Sequence, residues 1–194
     1  MKKVFFLDRD GVIIEDANYL SSPEQVVLCK GTPEAFRMIK DAGYDIVVVS
    51  NQSGIARGYF TEADLEKVEK HIEKCLTDAG APLPAGWYYC PHHKKGSVPE
   101  FAIDCDCRKP KPGLLLAAKK DFDIDCEKSF IIGDKLSDLE SGFAAGCQTG
   151  ALVLTGHGTE QELKPLDKPY KTAPEILEAV KVLLDRGNFK SLQK

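Results

Sequence analysis

Apolar residues in this chain follow two rhythms. Short apolar runs recur at 4–7, 44–49 (broken only by Asp45), 130–132 and 151–154, each bounded by glycine or polar residues. A continuous run of that length predicts a strand buried on both faces of a parallel sheet, since a half-exposed strand would alternate. Between the runs, apolar positions fall at helical spacing. Leu65, Val68, Ile72, Cys75 and Leu76 follow Thr61, and Ile176, Leu177, Val180, Leu183 and Leu184 follow a start near Thr172 or Pro174. Thr32-Pro33-Glu34 opens another helix that runs through Ile39 to Gly43, with a capping hydroxyl and a proline in the first turn. Two more helices follow, one after Pro112-Gly113 and a short one ending at Gly146. Strand and helix therefore alternate, which predicts a three-layer, doubly wound α/β fold with a mostly parallel sheet. Residues 12–14 extend the first apolar run, 15–23 and 81–86 read as connections, and 90–107 have little regular pattern.

The chain has 194 residues, enough to bury a core without cross-links. No domain boundary is evident, so 1–187 is expected to be a single domain, with a loop insertion at about 88–110 and a polar tail over 188–194. A net charge of -4 argues against a general polyanion binder. No apolar run is long enough to span a bilayer, and the first one stops at Asp8, too early for a secretory signal. The expectation is a cytoplasmic protein with no membrane or nucleic-acid partner, and a monomer, since no exposed apolar stripe is visible.

Candidate chemistry sits where the runs end. The first run leads into Asp8-Arg9-Asp10-Gly11, and open α/β sheets place ligands beyond the carboxyl ends of their strands. Two carboxylates this close repel each other unless a cation joins them, which predicts a hard metal such as magnesium. The 44–49 run ends in Ser50-Asn51-Gln52-Ser53-Gly54, with Arg57 shortly after, a set of donors suited to a phosphoryl oxygen. The 130–132 run delivers Asp134, with Lys135 beside it, to the same sheet edge. Asp134 could share one magnesium with Asp8.

Cysteines are unevenly placed. Cys29, Cys75, Cys126 and Cys147 are scattered and read as small buried hydrophobes, whereas Cys90, Cys105 and Cys107 lie near His92 and His93. Three thiolates and an imidazole make a closed tetrahedral set, which predicts a structural zinc rather than a catalytic one. Spacing alone leaves His92 and His93 open. Arg108-Lys109-Pro110-Lys111 follows directly. The cluster is short and lacks interleaved aromatics, so it reads better as a presenter of cations to a phosphate than as a nucleic-acid patch.

Together and in order, Asp8-Arg9-Asp10-Gly11, the 50–58 stretch Ser-Asn-Gln-Ser-Gly-Ile-Ala-Arg-Gly, Cys90-Pro91-His92-His93, the 105–113 stretch Cys-Asp-Cys-Arg-Lys-Pro-Lys-Pro-Gly and the 133–138 stretch Gly-Asp-Lys-Leu-Ser-Asp resemble the haloacid dehalogenase superfamily of phosphatases. The likeness spans nearly the whole chain. It is greatest to the subgroup that acts on heptose bisphosphates, with histidinol-phosphate phosphatases as near relatives. The resemblance implies a magnesium-dependent phosphatase that removes the C7 phosphate of D-glycero-D-manno-heptose 1,7-bisphosphate, with no large cap domain. It implies Asp8 as nucleophile, Asp10 as acid/base, and Ser50 and Lys109 as holders of the phosphoryl oxygens. Magnesium is implied on Asp8, Asp134 and the Asp10 backbone carbonyl, and zinc on Cys90, His92, Cys105 and Cys107. The rest of the substrate is assigned to Asp16, Ala17, Asn18, Tyr19, Asn51, Gln52, Ser53, Arg57, Arg108 and Lys135. Val12 departs from the pattern, because the family often has threonine there and its hydroxyl is missing. Two alternatives remain: histidinol phosphate as substrate, and a non-catalytic zinc module binding nucleic acid or protein. Steep salt dependence without phosphate release would mark the latter.

Overall fold

A computed structural model describes residues 1–161 and 165–185. The expected polar tail, 188–194, lies outside the described residues. Six strands form one sheet: β1 (Val4–Leu7), β2 (Asp45–Asn51), β3 (Gly86–Cys90), β4 (Phe130–Gly133), β5 (Thr149–Val153) and β6 (Tyr170–Ala173). Their spatial order is β3-β2-β1-β4-β5-β6 and every pairing is parallel. The chain winds from β1 toward one edge, then crosses to β4 and winds toward the other. The order therefore reverses beside β1, and that switch point opens a crevice at the carboxyl ends of the strands.

Burial explains why the central strands read as unbroken apolar runs. Phe5 and Leu7 of β1 face one core and Val4 and Phe6 the other, all four fully buried. Each such side chain contributes roughly 1.5–3 kcal/mol of hydrophobic stabilisation. The first core is closed by α1 (Thr32–Asp41), α2 (Glu62–Asp78) and α5 (Ile176–Leu184), through Phe36, Ile39, Ile72, Val180 and Leu183. The second is closed by α3 (Gly113–Phe122) and α4 (Leu136–Ala145), through Leu115, Leu139 and Phe143. These are the three layers expected.

Two strands escaped the sequence pattern. β3 and β6 lie at the sheet edges, and most of their side chains are only half-buried. β6 carries no continuous apolar run, and the run in β3 is aromatic, with the polar tips of Trp87, Tyr88 and Tyr89 donating to Glu73, Asp121 and Glu62. Thr172, expected near the start of the last helix, belongs to β6, and α5 begins at Ile176. Residues 12–14 do not prolong β1. Gly11, at φ +78°, turns the chain, and the Ile13 and Ile14 amides fold back onto the Arg9 carbonyl. Val12 then packs fully buried in the first core, which a methyl group fills where a hydroxyl would need a partner.

The connections at 8–31 and 91–112 contain no helix or strand beyond one short turn of 3-10 helix at Pro23–Gln25. Nothing of domain size covers the crevice among the described residues. None of the described helices is long and apolar enough to cross a membrane.

Candidate active site

Three carboxylates and one ammonium converge beside β1. Asp8 directly follows β1, and its amide donates to the Ile132 carbonyl at 3.0 Å, which locks it to β4. Asp134 follows β4, and Asp138 lies in the first turn of α4. Oxygens of Asp8, Asp134 and Asp138 all lie within 4.8 Å of one another, and all three residues are buried. Lys109 enters from the opposite wall. Its Nζ lies 2.9 Å from Asp8 Oδ1 and 2.7 Å from Asp138 Oδ1, and donates to the Val49 carbonyl at 2.7 Å.

Glycines make this crowding possible. A Cβ on Gly133 would stand 2.2 Å from that of Asp138. One on Gly11 or Gly156 would come within 2.7 or 2.5 Å of Asp134 Oδ2, and both glycines hold positive φ.

The electrostatics show an excess of negative charge. Burial pushes the Asp8 carboxyl up to about 7; Lys109 opposes this, but Asp138, Asp134 and Asp10 reinforce it. Burial also raises Asp134, again with Asp138 adding to the effect. Burial disfavours the Lys109 ammonium, yet Asp138 and Asp8 outweigh that and hold its pKa above the ordinary range. Asp134 Oδ2 accepts from the His157 amide at 2.9 Å, whereas its buried Oδ1 has no hydrogen-bond partner among the described residues. An orphaned carboxylate oxygen amid clustered acids fits a hard divalent cation with oxygen ligands.

Asp10 is arranged differently. Its carboxylate pairs with Arg9 and stands apart from the grouping of Asp8 with Asp134 and Asp138, whereas the sequence paired it with Asp8. Arg9, 1% exposed, turns back to donate from Nε to Asp10 Oδ2 (3.1 Å) and from Nη2 to Oδ1 (2.9 Å). Gln52 Nε2 donates to Asp10 Oδ2 at 2.8 Å and to Ser50 Oγ at 2.7 Å. Burial works to raise Asp10, but the Arg9 charge and these hydrogen bonds outweigh it and hold the carboxyl below its usual range. Asp10 is thus oriented by protein groups.

A cavity of about 380 Å³ opens over these groups, a size suited to a small ligand. Of the residues expected to touch substrate, Asp16, Asn18, Tyr19, Asn51, Gln52, Ser53, Arg108 and Lys135 line it, as do Asp8, Asp10 and Lys109. Three expected residues do not. Ala17 is exposed on the loop, and Ser50 lies beneath Gln52, 4% exposed. Arg57 sits behind the wall, with Nη2 3.3 Å from His93 Nε2 and its guanidinium 5.9 Å from the Tyr19 ring centre. Asn51 also braces the opposite wall, since its amide group donates to the Lys109 carbonyl and accepts from the Lys109 amide, both at 3.1 Å.

Arg9, Asp138 and His157 were not singled out by the sequence, although each lines the cavity. Arg9 passes for the spacer of an acid pair. Asp138 passes for a helix-capping acid, which it also is, accepting from the Lys135 amide at 2.9 Å. The one available signal for it was its position one helical turn after Asp134.

The second cluster joins Cys90, the last residue of β3, to three residues of the 91–112 connection. Sulfurs of Cys90, Cys105 and Cys107 stand 3.1–3.5 Å apart, and His92 Nδ1 lies 3.4 Å from Cys107 Sγ. A tetrahedral zinc with bonds of about 2.3 Å to sulfur requires edges of about 3.8 Å, so the residues fit that ion after slight expansion. His92 supplies the ring, while His93 turns toward Arg57. The neighbouring basic residues are not a free patch: Lys109 is buried, and Lys111 Nζ pairs with Asp104 (3.0 Å) and Asp106 (3.5 Å).

Comparison with known proteins agrees with this geometry. A family model described as "HAD-hyrolase-like" matches residues 106–179. The chain is 43% identical over 180 residues to the D-glycero-beta-D-manno-heptose-1,7-bisphosphate 7-phosphatase of Pasteurella multocida, covering 93% of this chain and 94% of the relative. Its counterpart in Escherichia coli K12 is 47% identical over 151 residues, 78% of each chain. The crystal structure of the D,D-heptose 1,7-bisphosphate phosphatase of B. bronchiseptica, complexed with magnesium and phosphate, superposes with a TM-score of 0.80 at 30% identity, covering 94% of this chain and 98% of that one. The chain belongs to the haloacid dehalogenase-like hydrolases and, within them, to the family of the heptose bisphosphate phosphatases.

Proposed function

We propose that this chain is a magnesium-dependent phosphomonoester hydrolase that removes the C7 phosphate of D-glycero-D-manno-heptose 1,7-bisphosphate, leaving heptose 1-phosphate. The observation that carries the reading is the convergence of Asp8, Asp134 and Asp138 on Lys109 at the switch-point crevice, with a separately oriented Asp10 alongside. Relatives at 43% and 47% identity carry that activity in their names, for the β anomer.

In this reading an Asp8 oxygen attacks phosphorus and the bond from phosphorus to the C7 oxygen breaks; Asp10, ionised in the free protein, takes the proton that the substrate phosphate monoanion brings and passes it to the leaving oxygen. Asp10 then takes a proton from water as that water attacks the aspartyl phosphate, which releases phosphate and restores Asp8. Arg9 and Gln52 keep the Asp10 carboxyl aimed through both steps. Asp8, Asp134 and the Asp10 carbonyl would hold magnesium, which would supply positive charge to the phosphoryl oxygens. Lys109 adds a second positive charge, and Ser50 supports Gln52 from below.

Cys90, His92, Cys105 and Cys107 would hold zinc, which would fix the loop that presents Arg108 and Lys109. Residues 1–187 are read as one domain with that loop inserted at about 88–110, working as a monomer in the cytoplasm, where free thiols persist. The test is phosphate release with magnesium from both heptose 1,7-bisphosphate anomers and from histidinol phosphate. Preferential turnover of a heptose anomer is expected. Preference for histidinol phosphate, or no release from any of the three, overturns the reading.

A further inference from the structure

One pocket-lining side chain has no part in the chemistry above. His157 belongs to the loop after β5, and its backbone amide is already committed to Asp134 Oδ2. Its ring reaches across the cavity mouth, where Nε2 lies 3.1 Å from Asp16 Oδ2, and Nδ1 lies 2.9 Å from Glu160 Oε2. Asp16 begins the 16–19 loop, which carries no regular secondary structure of its own.

That loop needs holding. Asn18 and Tyr19 both sit at positive φ, 51° and 64°, a region that side chains with a Cβ enter reluctantly. Asp16 Oδ1 accepts from the Asn18 amide at 2.9 Å, which closes the turn, and Oδ2 faces His157. Both oxygens of Asp16 are therefore occupied. Beyond the turn, Tyr19 packs edge-on against Tyr59, with ring centres 4.7 Å apart, and Leu20 is 2% exposed. The loop is fixed at its far end by packing and at its near end through Asp16 and His157.

We propose that His157 is a specificity-determining positioning residue, holding the 16–19 loop through Asp16 so that Asn18 and Tyr19 meet the part of the substrate that is not transferred. This deepens the phosphatase reading and rests on it. His157 ties the loop to the same β5 loop that touches Asp134, so substrate loop and carboxylate cluster keep one spacing. Its amide contact with Asp134 is a backbone contact and survives replacement of the ring. The ring therefore governs what is selected more than how phosphorus is attacked.

The test compares kcat/KM for heptose 1,7-bisphosphate with that for acetyl phosphate, which carries a phosphoryl group and almost nothing else. In His157→Ala the ratio of the two should fall about tenfold, the scale of one hydrogen bond to a carboxylate, and mainly through KM for the bisphosphate. His157→Gln, which can place an amide nitrogen near the former Nε2, should recover part of it. Asp16→Asn combined with His157→Ala should lose no more than the single variants, since they break one contact. An unchanged ratio, or equal losses on both substrates, overturns the proposal. Failure of the unsubstituted protein on both substrates would instead overturn the phosphatase reading.

Discussion

The two candidate metal clusters are built on opposite plans. Asp8, Asp134 and Asp138 come from distant parts of the chain and meet only because β1 and β4 are neighbours in the sheet. Cys90 ends β3, and His92, Cys105 and Cys107 lie in the connection that follows it, a loop that has almost no regular structure. The first opens onto a cavity, carries an orphaned oxygen and includes a lysine; the second is a closed set of four ligands. A site for chemistry tolerates electrostatic crowding because the rigid sheet imposes it. A site for structure needs no such scaffold, since it is the scaffold.

Breaking the first cluster should abolish activity without loss of fold. Asp8→Asn is expected to lower phosphate release by about three orders of magnitude or more. Its metal-free melting temperature should not fall, because one crowded charge is removed; retained turnover would sink the nucleophile assignment. Lys109→Met should cost about 100- to 1000-fold in kcat. It should also lower the melting temperature, since Asp8 and Asp138 then share a buried space with no ammonium between them. Wild-type stability in that variant would contradict the pairing of Lys109 with these two carboxylates.

Breaking the second cluster should reverse the emphasis. Cys105→Ser, or zinc chelation, should lower the melting temperature by roughly 10 °C and reduce turnover less than Lys109→Met does. A loss of activity equal to that of Asp8→Asn, with unchanged melting, would give the thiolate site a chemical role.

The smallest effect is a slope with pH. The folded pKa of Asp8 is raised from 3.8 to about 7, so its protonated form favours the fold. That contribution is complete below about pH 4 and is lost as pH rises through 7. Metal-free protein should therefore melt a few degrees lower at pH 8 than at pH 6, and magnesium should stabilise it more at pH 8. Calorimetry with and without magnesium decides this; a metal-free melting point that rises with pH would count against it.

How much was legible in the sequence follows burial. The four inner strands have both faces covered and so announce themselves as apolar runs. The edge strands β3 and β6 have one neighbour each: Tyr170-Lys171-Thr172 shows no such run, and Trp87-Tyr88-Tyr89 joins apolar rings to polar tips that find partners outside the core. Asp8, Asp134 and the cysteine cluster stood where strands end or thiols gather. Arg9 and His157 did not, because an arginine folding back on its neighbour and a histidine reaching another loop leave no periodic trace. Gln52 was legible as a residue near the site, but its work in orienting Asp10 was not, since that depends on which atoms face which.

Lys109 has one further consequence. An ammonium has three protons, and here Val49, Asp8 and Asp138 take all of them. An arriving phosphoryl oxygen cannot be added as a fourth partner and must displace one. In the proposed mechanism Asp8 is the partner whose claim weakens, because it would surrender its negative charge to phosphorus as the acyl phosphate formed. Each turnover would then be an exchange of partners at a single nitrogen, with Asp138 and Val49 keeping the ammonium in place while its third N–H turns from the carboxylate to the phosphate and back.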